Sequence, residues 1–121
     1  MKILHFPLKK EWYEMIEILI KLEEYRGITA YWIVRLFRYE NGFKISRDTA
    51  NFLASNIAIL KLWIELGILV FNPFDFAKFS YGYTKRTMTF EIESITIGKG
   101  NPEWGAPTDE EVFIIKLGKR I

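Results

Sequence analysis

The chain of 121 residues contains no cysteine. Disulfides, thiolate catalysis and cysteine-ligated zinc or iron–sulfur sites are therefore excluded. Histidine is nearly absent too. The one copy, His5, lies in an apolar run near the start and reads as a strand residue satisfied locally. A Ser-His-Asp triad or an HExxH zinc site needs a histidine in a different context, so neither a metal nor a cofactor is expected. Charge of one sign is also scarce: the formal net charge is +2, against a pI near 8.8. A protein holding long duplex nucleic acid through phosphate contacts is usually more basic. A nucleic-acid partner would instead be a short single-stranded segment or a single nucleotide. No apolar run reaches the roughly 20 residues of a spanning helix; the greasiest stretch, 57–71, is interrupted by Lys61 and Glu65. The first seven residues are too short in their apolar part for a signal peptide. No membrane contact and a cytoplasmic location are expected.

What is plentiful is core material. Half the residues are hydrophobic and 17% are aromatic, ample for one domain of ordinary size. Residues 2–8 suit a first strand at a sheet margin, because Pro7 cannot donate to a central ladder. Trp12, Met15, Ile16, Leu19 and Ile20 recur at three- and four-residue intervals, predicting a helix that ends near Lys21. Residues 22–26 alternate as a short strand, with Leu22, Glu24 and Arg26 on one side and Glu23 and Tyr25 on the other. A second helix is expected over 31–39, broken by Asn41-Gly42. A third spans 48–66, with Asp48 as N-cap and Gly67 as stop. It is apolar on most sides, which fits a buried helix or one that pairs with another chain. Strands follow at 68–71, 79–83, 87–97 and 112–117. The alternation within 87–97 slips at Glu93-Ser94, and a bulge there would restore it. Together these elements predict an α+β fold, a small β-barrel of five or six short strands with two or three flanking helices.

The densest chemistry lies at Lys21-Leu22-Glu23-Glu24-Tyr25-Arg26. A lysine at a helix end, followed by Glu24 and Arg26 on one strand face, gathers complementary charges. In a concave site the glutamate can accept from an amine or amide while the arginine grips a carbonyl or phosphate. A desolvated Lys21 could serve as base or nucleophile. The bland alternative is a surface ion-pair cluster of little energetic worth. Tyr83, Lys85 and Trp104 are further candidates to line a cleft. An aromatic at a loop tip can stack on a base, or Trp104 can simply pin its loop. Lys85-Arg86 reads most simply as a solvated basic turn.

Lys21-x-x-Glu24-x-Arg26 after an amphipathic helix resembles the signature of ASCH domains, small β-barrels of the PUA-like superfamily. Tyr81-Gly82-Tyr83, Gly100-Asn101-Pro102-Glu103-Trp104-Gly105 and residues 112–118 resemble the tail of one branch of that group. The likeness covers about the first and last forty residues. It implies a single domain over 1–121 with a helical insertion at about 41–66. The family pattern's glycine is Leu19 here, which implies a helix continuing to Lys21, and the residue after the lysine is Leu22 rather than a threonine or serine. The resemblance implies binding of RNA or a modified nucleotide through Lys21, Glu24 and Arg26. Its alternative is a metal-independent amidohydrolase of an acylated nucleoside such as N4-acetylcytidine. Lys21 and either Glu91 or Glu93 would then form the catalytic pair. Those hydrolases carry a threonine at the position of Glu24, so this chain follows the general pattern. A third reading is a protein-interaction module, or a homodimer, through helix 48–66.

Overall fold

The computed structural model describes residues 2–121. Its elements run β1 (Ile3–Leu8), α1 (Lys10–Glu17), β2 (Glu23–Arg26), α2 (Ala30–Leu36), β3 (Phe37–Tyr39), α3 (Arg47–Ala54), α4 (Ile57–Glu65), β4 (Leu69–Phe71), β5 (Phe76–Tyr81), β6 (Thr87–Gly98) and β7 (Val112–Arg120). A 3-10 turn covers Pro102–Trp104. The fold is mixed α+β, as expected. It divides into two compact units. One joins the residues up to Tyr25 with Pro73–Ile121, and the other is Arg26–Asn72.

In the first unit five strands form a sheet in the order β1-β5-β6-β7-β2, curled into a half-barrel. β1 lies parallel to β5, from Ile3 opposite Phe76 to Leu8 opposite Tyr81. The β5–β6 and β6–β7 pairs are antiparallel. Pro7 is accommodated because β1 is an edge strand. Leu4, Phe6 and Leu8 alternate into the core while His5 is exposed. Phe6 stacks on Phe79 at 5.6 Å, and Phe79 meets Phe90 at 6.1 Å. The β6 register shifts between Phe90 and Ser94, where the alternation slips. β5 begins three residues before the expected strand and ends at Tyr81, because Gly82 turns at φ +58°. β7 continues to Arg120 although its last three residues are exposed. Backbone pairing of Arg120 with Phe90 holds them, and a hydrophobic pattern does not register that.

Helix α1 stops at Glu17, four residues short of the expected end. Leu19 takes φ +63°, Leu19 N–H donates to Ile16 O at 3.0 Å, and Ile20 N–H to Met15 O at 2.9 Å. These two bonds make a Schellman stop, whose left-handed position is usually glycine. A turn with leucine at its left-handed position therefore ends α1, and no helix continues to Lys21. Leu19 and Ile20 therefore leave the helical stripe and are exposed, and Tyr13 joins Ile16 as the buried face. A non-glycine residue in this conformation costs about 1–2 kcal/mol. Leu19→Gly is expected to raise the stability by about 0.5–1 kcal/mol, the remainder being lost to unfolded-chain entropy. Urea denaturation measures it, and a loss of stability would show that Leu19 is not strained.

The second unit holds α2, α3, α4 and the antiparallel β3–β4 pair. The helix expected at 31–39 ends at Leu36. Phe37 is extended, opposite Phe71, with ring centroids 4.4 Å apart. The helix expected at 48–66 is two helices, so the described residues form four helices rather than two or three. Ser46, not Asp48, caps α3, its Oγ accepting from Thr49 N–H at 3.1 Å. Asn56 breaks the run at φ −138°, ψ 68°, its side chain donating to Phe52 O at 2.8 Å. Ala50, Leu53 and Leu60 of this unit are buried.

Candidate functional site

The Schellman turn delivers Lys21 inward. Its N–H donates to Met15 O at 3.1 Å, and Leu117 N–H donates to Leu22 O at 3.0 Å. The chain is therefore fastened to α1 on one side and follows β7 on the other. The Lys21 side chain has no exposed surface. Its ammonium donates to the Glu23 carbonyl and to Glu24 Oε1, the latter at 3.1 Å. It stands 4.8 Å from the centroid of the Tyr25 ring and 5.9 Å from that of Trp12. Two aromatic faces, a carboxylate and a carbonyl thus receive one cation. Glu24 is itself buried, and its Oε1 also accepts from Tyr25 N–H at 3.1 Å.

The loop between β6 and β7 closes over this arrangement. Tyr25 OH donates to Glu23 Oε1 at 2.7 Å and accepts from Asn101 N–H at 3.0 Å. Trp104 and Ile114 pack against Tyr25, Ala106 and Val112. A Cβ on Gly100 would stand 2.5 Å from Tyr25 Cε1 and 2.7 Å from Ala106 Cβ. Gly105, at φ +97°, approaches Trp12 so closely that a Cβ would lie 3.2 Å from its ring. The loop's two glycines thus sit against the two rings that receive the Lys21 ammonium. Trp104 is half-buried within this packing.

Burial pushes the Tyr25 hydroxyl up to about 12. Donation from Asn101 opposes this, while the hydrogen bond to Glu23 and the charges of Glu23 and Glu24 add to it. The folded value lies above the unfolded one near 10. The neutral phenol's stabilisation is therefore complete below about pH 10 and is lost as pH rises through about 12. Tyr25→Phe should remove this loss. The check is the difference in melting temperature between the two proteins from pH 9 to 12, which should shrink as pH rises. A constant difference would place Tyr25 in an ordinary environment.

The structure brings Lys21 and Glu24 together, and the carboxylate at the ammonium is Glu24. Glu91 and Glu93 are both exposed on β6, with Glu93 3.5 Å from Lys116. Tyr83 is 97% exposed at the tip of the β5–β6 turn, and Lys85 beside it is exposed too. Arg86 is not merely solvated. It donates to both carboxylate oxygens of Glu17, at 2.9 and 3.1 Å, and lies 5.2 and 5.0 Å from the Tyr13 and Tyr81 ring centroids. No local signal could reveal this pair, because 69 residues separate its members.

Arg26, the last residue of β2, belongs to the second unit. Its guanidinium lies 5.7 Å from the centroid of Trp32, and Tyr31 meets Trp32 edge-on at 5.1 Å and 88°. Tyr31 is 61% exposed. Sequence reasoning missed both aromatics as site residues, although they lie within six positions of Arg26. The weak net charge also conceals an asymmetry. Arg26–Asn72 carries six lysines and arginines against three acidic residues, whereas the remainder of the chain is net −1.

Among the described residues no helix is long and apolar enough to cross a membrane, and no group of three or more histidine or acidic residues is placed to hold a metal ion. Compared with protein-family models, curated proteins and solved structures, the chain matches none.

Proposed function

We propose that this chain is an ASCH-like module that binds single-stranded RNA or a modified nucleotide, with Arg26, Tyr31 and Trp32 as the contact surface. The observation that carries this reading is the arginine set on an aromatic pair within the basic half of the charge distribution. An exposed ring offers a face to any nucleobase, and an arginine beside it answers the phosphate or a base carbonyl. Lys21 and Glu24 act differently from the sequence expectation. Without exposed surface Lys21 touches no ligand, and the pair serves to hold the chain that enters β2. Tyr83 and Lys85 stand exposed in the first unit and are separate candidate contacts of that unit alone.

The amidohydrolase alternative requires an accessible base beside a carboxylate. Lys21 is enclosed, and Glu91 and Glu93 stand exposed on β6, so binding is the preferred reading. The test is fluorescence anisotropy with short labelled single-stranded RNAs, together with nucleoside competition. Trp32→Ala and Arg26→Ala should each weaken binding by about 1–3 kcal/mol, the range of one base stack. Unchanged affinity in both variants would overturn the proposal. Release of cytidine from N4-acetylcytidine by the parent protein, abolished by Lys21→Ala, would replace it with the hydrolase.

A further inference from the structure

Helix α4 has the composition of a core helix and the exposure of a surface one. Seven of its nine residues, Ile57–Glu65, are apolar, yet only Leu60 is buried. Leu62 is 48% exposed, Leu66 just beyond the helix is 63% exposed, and Ala58, one turn before Leu62, is exposed as well. Ala58, Leu62 and Leu66 follow one another at intervals of four and so lie along one face. The helix's only charges, Lys61 and Glu65, are exposed, of opposite sign and one turn apart beside that stripe.

We infer that this face pairs with the same face of a second copy of the chain, the two α4 helices running antiparallel about a two-fold axis. The charge order selects this occupant. A two-fold axis near Leu62 and Trp63 reverses the helix, so Lys61 of each copy comes opposite Glu65 of the other. Ala58 then faces the Leu66 end, and Leu62 lies near the axis. A self-complementary patch of this kind is what an isologous dimer requires. A partner of uniform charge would instead meet one favourable and one unfavourable residue. The small side chain of Ala58 leaves room for the opposed leucine. All of these residues belong to the second compact unit, and none is among the proposed RNA contacts, so the two proposals can fail separately.

The experiment is sedimentation velocity on the full chain from 1 to 500 µM. A concentration-dependent dimer is expected. Leu62→Asp should weaken it at least tenfold without lowering the melting temperature, because Leu62 is half exposed in the monomer. Lys61→Glu and Glu65→Lys should each weaken self-association at least tenfold, and an equimolar mixture of these two variants should recover it. That recovery separates pairing between copies from pairing along one helix. A monomer throughout the range would overturn the inference. So would a dimer indifferent to Leu62→Asp, or a mixture no stronger than its components.

Discussion

Lys21→Met is expected to lower the stability of the fold by about 3–5 kcal/mol, the usual cost of stranding one member of a buried ion pair. Methionine matches the lysine stem in length and apolar character, so packing against Trp12 and Tyr25 is largely kept. What disappears is the cation that faces Glu24, a carboxylate only 5% exposed, and the donor to the Glu23 carbonyl. The diagnostic partner is Lys21→Met combined with Glu24→Leu. Removing both charges also removes the desolvation problem, and replaced pairs of this kind are commonly neutral or more stable. The double variant should therefore be more stable than Lys21→Met alone, an opposite sign to simple additivity. Urea denaturation of parent, both singles and the double completes the cycle. A Lys21→Met protein within 1 kcal/mol of the parent would mean that water reaches the ammonium after all.

The second large effect is expected at Gly100. Gly100→Ala sets a methyl 2.5 Å from Tyr25 Cε1 and 2.7 Å from Ala106 Cβ, well inside any tolerated contact. Tyr25 cannot swing aside freely, because its hydroxyl is engaged at both ends by Glu23 and Asn101. Overpacking of this type costs about 1–3 kcal/mol, and the double engagement places Gly100→Ala near the upper end. Loss of the Asn101–Tyr25 bond should accompany it. Faster amide exchange at Asn101 is the local readout, and denaturant unfolding gives the total. An alanine variant as stable as the parent, with Asn101 equally protected, would show that the loop retreats without cost.

The two predictions also mark where reading the chain alone succeeds and where it stops. Strand positions were legible: β1 from a short apolar run whose Pro7 suits a sheet margin, and β6 from the slip in alternation that becomes its register shift. Helix ends were less so. Apolar residues recur through Ser55 and Asn56 without interruption, so nothing in the periodicity announces the break between α3 and α4. At the end of α1 a leucine occupies the left-handed stop position, and propensity alone argues for a helix running on. The Lys21–Glu24 pair could be named from its spacing. Its burial could not, because that depends on Trp12 from α1 and on a loop about eighty residues later. The aromatic company of Arg26 was closer at hand, but two adjacent aromatics in a short helix read equally well as core.

The pairing of β1 with β5 has a consequence for synthesis. Residue 3 lies opposite residue 76, so β1 is synthesised well before the strand it pairs with. Arg26–Asn72, in contrast, is continuous, and its strand pair and helices lie within 47 residues of one another. The segment that emerges second can therefore assemble first, while the opening strand waits as an unsatisfied edge for the chain's second half. A chain halted after β4 would hold all of Arg26–Asn72 but leave β1 without its β5 neighbour, an open edge of the kind that invites association.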